Sequence, residues 1–156
     1  MVTTVRLALR ADMERIQEIA GQNSSAAQWS EKHYGRLFAE ESNLHLVLVV
    51  AEGEQVQGFI IGRLAGDQWE IENIAVDPTL QRGGLGSQLV REFLLRARVG
   101  GKAVFLEVRE SNLPARKLYQ KMGFVEVGRR KLYYQSPSED ALILELSFSP
   151  EEANFH

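Results

Sequence analysis

The middle of the chain carries the pattern that most constrains the fold. Residues 69–76 predict a strand, which Asp77-Pro78 closes, and the glycine-rich segment 81–87 follows it. A helical apolar pattern comes next, at Leu85, Leu89, Val90, Phe93, Leu94 and Ala97. Residues 103–108 then predict a second strand. Because a helix lies between the two strands, we expect them to pair in parallel.

The segments on either side predict a mixed sheet around this crossover. Further strands are expected over residues 2–9, 44–51, 56–64, 125–134 and 141–148. The strands 44–51 and 56–64 form one predicted hairpin. The strands 125–134 and 141–148 form another, around Ser136-Pro137-Ser138. Asp12 and Ser30 are expected to cap two helices, the second running to about residue 41. Asn112 or its neighbour caps a further helix that ends at Gly123. The fold class is therefore α/β, with antiparallel strands at both ends of a parallel pair.

Composition and charge exclude several classes of protein. With 44% hydrophobic and 25% charged residues, the 156 residues are expected to form one globular domain. There is no cysteine, which excludes disulfides, thiolate zinc sites and cysteine nucleophiles. A net charge of −3 gives no general attraction for nucleic acid, so an anionic ligand needs a local site. We find neither a signal-peptide pattern nor an apolar stretch near the ~20 residues of a membrane span, and expect a cytoplasmic protein with no membrane partner.

The glycine-rich segment 81–87 allows two interpretations. Glycines at a strand-to-helix turn let several backbone N–H groups converge near the positive end of the helix dipole, which suits a pyrophosphate. The alternative is a tight turn with no ligand. A Walker A motif is disfavoured because no lysine follows the glycines, and a dinucleotide fingerprint because Leu89 stands where its last glycine would be.

Two other residues, Glu107 and Tyr119, are candidates for chemistry, and each has a structural alternative. Glu107 alternates with apolar neighbours on a strand expected to be covered on both faces, where an unpaired carboxylate is costly; it is either a functional base or a glutamate paired with Arg109 or another cation. Tyr119 lies on the apolar stripe of its helix and is either functional or a core tyrosine with a satisfied hydroxyl.

Other polar residues suggest no separate chemistry. His33, His45 and His156 are isolated from one another and from paired carboxylates, so no metal site is expected. Neither a Gly-x-Ser-x-Gly elbow nor a cysteine is present to carry an acyl group. The basic run 129–131 is typical of a solvated strand end. The alternative is that these residues, together with the tyrosines at 133–134, shape the entrance for a peptide.

The motifs together resemble the Gcn5-related N-acetyltransferase (GNAT) superfamily. The segment 81–86 reads Q-x-x-G-x-G, and residues 112–124 read N-x-x-A-x-x-L-Y-x-x-x-G-F. Within the superfamily the chain is most similar to the RimI-type ribosomal-protein alanine N-acetyltransferases, through Asn73-Ile74-Ala75-Val76-Asp77-Pro78, Leu106-Glu107-Val108-Arg109, Arg130 with Tyr133-Tyr134, Glu139-Asp140-Ala141 and Trp29-Ser30-Glu31-Lys32. The resemblance spans nearly the whole chain.

The resemblance implies a fold and a site. The fold is a central mixed sheet whose parallel strand pair splays apart, flanked by about four helices, with acetyl-CoA lying in the opening and no metal. Backbone groups of Ile74, Ala75 and Val76 would hold the pantetheine arm and polarise the acetyl carbonyl. The pyrophosphate would be bound by Arg82, Gly83, Gly84, Leu85, Gly86 and Ser87. Asn112 would contact the cofactor near the next helix. Glu107 would accept a proton and Tyr119 would donate one.

The activity implied is direct acetyl transfer from acetyl-CoA to the N-terminal amine of a protein, the alanine of a small-subunit ribosomal protein. An α-amino group has a pKa of about 8, against about 10.4 for lysine, so it needs less help from a base near neutral pH. Two alternatives stay open: the same chemistry on a lysine side chain, polyamine or aminoglycoside, and a non-catalytic acyl-CoA-binding module.

Overall fold

A seven-stranded mixed sheet organises the part of the chain that the structure describes, which comprises residues 2–39, 44–81, 83–135 and 137–149 of a computed structural model. The strands are β1 (Thr4–Leu7), β2 (His45–Glu52), β3 (Gln55–Ala65), β4 (Gln68–Val76), β5 (Ala103–Arg109), β6 (Val125–Tyr134) and β7 (Glu139–Ser147). The helices are α1 (Met13–Gly21), α2 (Glu31–Leu37), α3 (Leu85–Ala97) and α4 (Leu113–Lys121). The strand order is β1-β2-β3-β4-β5-β7-β6, and β4 and β5 form the parallel pair, as the sequence predicted.

Element boundaries differ from the sequence prediction mainly near the N-terminus. β1 is shorter than the predicted 2–9. Asp12 does not cap α1 with its side chain, because its carboxylate accepts a hydrogen bond from the Leu9 amide at 2.7 Å and pairs with Arg6 at 2.7 Å. Ser30 does cap α2, accepting from the His33 amide at 3.1 Å. The structure ends α2 at Leu37, and residues 40 and 41 of the predicted helix lie outside the described residues, as does Ser136 of the last hairpin.

β4 and β5 are paired at one end only. Residues 68–70 are in register with residues 103–105, and no further pair follows as the two strands continue. On their outer edges both strands stay paired, β4 with β3 and β5 with β7. The two strands therefore diverge, and the predicted splayed opening is present.

A β-bulge in β4 coincides with this separation. Ile61 is opposite Asn73, whereas Gly62 is opposite Ile71, so Glu72 is the extra residue on β4. Before the bulge, Ile71 packs with α3, and after it Ala75 packs with α1 and α2. Because of the bulge, the buried side chains of β4 lie on the α3 face of the sheet before Glu72 and on the opposite face after it.

Apolar clusters cover both faces of the sheet. On one face α3 contributes Leu89, Val90 and Phe93, all fully buried, against β2–β5 and β7. On the other face Ile16 and Ile19 of α1 are fully buried together with side chains from α2 and β2–β4. Among the helices of the described ranges, none has the length and apolar character needed to cross a membrane.

Candidate functional site

A cleft of about 770 Å³ opens where β4 and β5 separate. Its walls come from four places: the diverging strands, the start of α3, the start of α4, and the connection between α1 and α2. Of the residues singled out from the sequence, the cleft is lined by Ile74, Ala75, Val76, Gly84, Leu85, Gly86, Ser87, Glu107, Asn112 and Tyr119. Gly83 is not among the lining residues, and Arg82 lies outside the described residues.

The start of α3 presents free backbone donors to the cleft. Gly84 precedes the helix with φ = 81°, a left-handed conformation that favours glycine, and no side chain caps the helix. The first amides of an α-helix have no partner within it, so those of residues 85–87 are available to a ligand. A Cβ at Gly84 would meet nothing within 4 Å, so the glycine is needed for its conformation and leaves the approach to these amides open. Free donors at the positive end of a helix dipole suit an anion.

The inner edge of β4 is the second source of backbone groups. Ile71 and residues 73–76 pair with β3 on one edge, but none of residues 71–76 pairs with β5 on the other. The Val76 carbonyl accepts a hydrogen bond from Asn23 Nδ2 at 3.1 Å, so this group already has a partner. Other groups on the inner edge face the cleft, where an amide-bearing ligand can complete the missing strand pairing.

Side chains that the sequence analysis did not single out hold the α1–α2 connection over the cleft. Asn73 is buried and makes two hydrogen bonds to the backbone of Ala27, each at 3.1 Å. Asn23 accepts from Gln81 Nε2 at 3.0 Å, which ties this connection to the segment before α3. Asn73 and Gln81 both lie in motifs that carried the family resemblance, and this was the only signal for them in the sequence.

Glu107 lines the cleft but is not the unpaired carboxylate that the strand pattern suggested. Its side chain is 17% exposed, and its Oε1 lies 3.0 Å from Nε of Arg130. The predicted partner, Arg109, instead pairs with Glu139 at 3.5 Å and lies over the ring of Tyr134. The cation that pairs with Glu107 is therefore Arg130 rather than Arg109.

Two further glutamates of β4 lie near Glu107. Burial is the main cause of a raised pKa at Glu70, and the charges of Glu72 and Glu107 raise it further. Glu72 lines the cleft, and its Oε1 is buried without a hydrogen bond. The nearest cation to Oε2 of Glu72 is Arg63, whose Nε is 3.9 Å away. Glu72 and Glu107 thus both line the cleft, and Glu70 lies close to them.

Tyr119 is almost fully buried, yet its hydroxyl is not satisfied by the protein. The side chain is 3% exposed, and its ring packs edge-on against Phe124 with centroids 5.3 Å apart. Within the described parts of the chain no hydrogen bond reaches the hydroxyl, and Tyr119 lines the cleft. Burial raises the pKa of Tyr119 well above its usual value, which keeps the proton on the hydroxyl across the neutral range.

The remaining residues considered in the sequence analysis are Asn112 and the three histidines. Asn112 caps α4, as predicted, with Oδ1 accepting from the Ala115 amide at 3.3 Å, and it also lines the cleft. His33 stacks on Trp29 with centroids 4.2 Å apart, His45 lies 3.8 Å from Glu72, and His156 is outside the described residues. In the described ranges no group of three His, Cys, Asp or Glu side chains is placed to hold a metal ion.

Comparison with known proteins gives a consistent result. A family model described as the acetyltransferase (GNAT) family matches residues 11–124. The [ribosomal protein bS18]-alanine N-acetyltransferase of Haemophilus influenzae is 38% identical over 137 residues, covering 85% of this chain and 90% of that protein. The N-alpha-acetyltransferase RimI of Mycobacterium tuberculosis is 36% identical over 143 residues, 88% of each chain. The crystal structure of the ribosomal-protein-S18-alanine N-acetyltransferase from Escherichia coli has a TM-score of 0.83, 30% identity and 99% coverage of both chains.

Proposed function

The chain belongs to the acetyltransferase (GNAT) family and is an acyltransferase, and we propose that it acetylates the N-terminal alanine of ribosomal protein bS18, using acetyl-CoA. The observation that carries this proposal is that Glu107 and Tyr119 line one cleft, into which the uncapped start of α3 also opens. The similar proteins of Haemophilus influenzae and Escherichia coli carry this substrate in their names. A ribosomal substrate would place the reaction in the cytoplasm.

The residues of the cleft fit acetyl-CoA, which supplies an acetyl thioester. We assign the pyrophosphate to the amides of residues 85–87, together with Arg82 and Gly83. The inner edge of β4 at residues 74–76 would hold the amides of the pantetheine arm, and Asn112 would contact the cofactor at the start of α4. The support is that the amides of residues 85–87 have no partner within α3, that β4 has no strand partner on its inner edge at residues 74–76, and that both segments line one cavity. The Val76 carbonyl is an acceptor that Asn23 already engages.

Glu107 is assigned the proton acceptor. An amine must lose a proton when it attacks the thioester carbonyl, and an α-amine with a pKa of about 8 is already partly neutral near neutral pH. Arg130 engages Oε1 of Glu107, which leaves Oε2 to receive the proton directly or through one water. No acyl group needs to reside on the protein.

Tyr119 is assigned the proton donor. Its hydroxyl is protonated at neutral pH and has no partner in the described protein, so it can donate to the departing CoA thiolate. The backbone amides of the inner edge of β4 would stabilise negative charge on the carbonyl oxygen during transfer.

A panel of acceptors tests the substrate assignment. Purified protein is incubated with acetyl-CoA and one acceptor at a time. The acceptors are an alanine-headed bS18 peptide, its N-terminally blocked form containing a free lysine, a polyamine and an aminoglycoside. We expect mass spectrometry to find one acetyl group on the α-amine of the free peptide and little on the other acceptors. Preferential acetylation of lysine or a small amine would contradict the proposal, and cofactor binding without any turnover would favour a binding module.

Substitution of Gly84 tests the pyrophosphate site. Gly84→Val should weaken acetyl-CoA binding by about tenfold or more, because a branched side chain strains the left-handed turn and crowds the amides of α3. The matched control is Gly53→Val, since Gly53 also has a positive φ of 61° and open space around its Cβ position, but lies in the β2–β3 turn. Calorimetry that finds the same acetyl-CoA affinity in both variants would contradict the assignment.

Removal of the proton acceptor should lower the rate in a pH-dependent way. For Glu107→Gln we expect kcat to fall by roughly 10²-fold at neutral pH, with acetyl-CoA affinity nearly intact. The deficit should shrink at high pH, where the amine deprotonates without help. Glu72→Gln is the comparison, because Glu72 is the other carboxylate of the cleft. A larger loss in Glu72→Gln, or a deficit in Glu107→Gln that is constant with pH, would argue against the assignment.

Tyr119→Phe separates the hydroxyl from the ring. The variant should keep the melting temperature, because no protein hydrogen bond is lost, while kcat falls by about 10- to 100-fold. A thiol with a pKa near 8.5 is a tolerable leaving group, which limits the loss. Tyr34→Phe is the control, because its buried hydroxyl also has no partner but lies on α2 away from the cleft. Equal kcat values for the two variants would make Tyr119 a core residue.

A further inference from the structure

The ion pair at Glu107 spans three strands of the sheet. Glu107 on β5 is opposite Ile143 of β7, and Arg130 on β6 is opposite Ala141 of β7. The Arg130 side chain therefore reaches across β7 to place Nε 3.0 Å from Oε1 of Glu107. This side chain is 55% exposed, whereas that of Glu107 is 17% exposed, so the cation approaches the carboxylate from the solvent side.

An irregular stretch of β6 begins directly after Arg130. Arg130 is opposite Ala141 and Tyr134 is opposite Glu139, so residues 131–133 are placed against a single residue, Asp140. Within this stretch Leu132 has φ = 51°, which is uncommon for a leucine. The strain is local and sits next to the ion pair.

Asp140 holds this irregular stretch in place. One carboxylate oxygen accepts from the Leu132 amide at 2.9 Å and the other from Arg129 at 2.9 Å. The Arg130 guanidinium also lies 5.2 Å from the ring centroid of Tyr133, within cation–π range. The position of the arginine is thus fixed by both the backbone and a neighbouring ring.

Acidic side chains dominate the other surroundings of Glu107. The charged and titratable groups that face this region are Glu70 and Glu72 of β4, Arg109 of β5, Arg130 and Tyr134 of β6, and Glu139 of β7. Arg109 is engaged by Glu139, and Arg63 lies nearest to Glu72. Among the described residues, Arg130 is the cation that pairs with Glu107, and Glu70 has no ion pair of its own.

We propose that Arg130 is a positioning residue for acetyl transfer: it holds Oε1 of Glu107 and leaves Oε2 for the acceptor amine. The proposal rests on the proposed function, because it requires Glu107 to accept the proton. An isolated structural ion pair would instead affect folding and leave kcat of the folded protein unchanged.

Turnover of the alanine-headed peptide tests the role of Arg130. Without the cation, the Glu107 side chain is free to leave the position in which Arg130 holds it, and a misplaced base slows proton transfer. In Arg130→Gln we therefore expect kcat to fall by about tenfold. Arg130→Lys should restore part of the activity. The KM for acetyl-CoA should stay unchanged.

A matched ion pair elsewhere provides the control. Arg96 Nε lies 3.0 Å from Glu92 Oε1 on α3, the same atoms at the same distance outside the cleft. Arg96→Gln should leave kcat unchanged, and melting temperatures of both glutamine variants report any loss of folding. A kcat that stays at the wild-type value in Arg130→Gln, with Glu107→Gln still impaired, would overturn the role of Arg130 alone.

A double variant separates this proposal from the one on which it rests. In a Glu107→Gln background, Arg130→Gln should lower kcat/KM no further, because the group it positions is already absent. An additional independent loss in the double variant would place Arg130 in direct contact with the peptide and contradict the positioning role. If Glu107→Gln retained full activity, the assignment of Glu107 itself would fail, and the role of Arg130 with it.

Discussion

The separation of β4 from β5 is the constraint on which the rest of the site depends. Pairing between parallel strands normally continues along their length, yet here residues 68–70 pair with residues 103–105 and the pairing then ends. Leaving inner-edge N–H and C=O groups without strand partners is unfavourable in a protein interior, since a buried unsatisfied group costs about 1–3 kcal/mol. Part of this cost is offset by Asn23, which binds the Val76 carbonyl. The remaining groups form an edge that a ligand with its own amides can pair with, and this is the chemistry proposed for the pantetheine arm.

The same separation determines where the anion-binding elements lie. β4 ends at the cleft, so the segment that follows it must begin α3 at the cleft mouth. Gln81 fixes this segment to Asn23, and Gly84 turns the backbone into the helix with a left-handed φ. The free amides of α3 and the inner edge of β4 are therefore brought together by one local irregularity in the sheet, even though they belong to different elements.

Sequence patterns predicted the order of elements, the parallel pair and the helix start, but not the bulge at Glu72. Burial alternates regularly along β4, with Trp69, Ile71, Asn73 and Ala75 all buried. A bulge normally interrupts such an alternation. Here it does not, because both faces of the sheet are covered, so the buried positions simply change face at Glu72. The alternation of burial alone therefore does not reveal this change. The Arg130–Glu107 pair was hidden for another reason: it depends on the register of β5, β7 and β6, which no local pattern specifies.

Polar groups without partners support the site because several of them lie in one cleft, not because such groups exist. Tyr34 and Trp69 also carry buried polar atoms without a hydrogen bond, and neither lines the cleft. A single such atom is therefore compatible with ordinary packing. At the cleft, however, Oε1 of Glu72 is another such atom, and the Tyr119 side chain, the first amides of α3 and the inner edge of β4 line the same cavity. Folding alone gives no reason for so many unmatched donors and acceptors to meet, whereas a ligand with phosphates, amides and a reacting carbonyl would match them together.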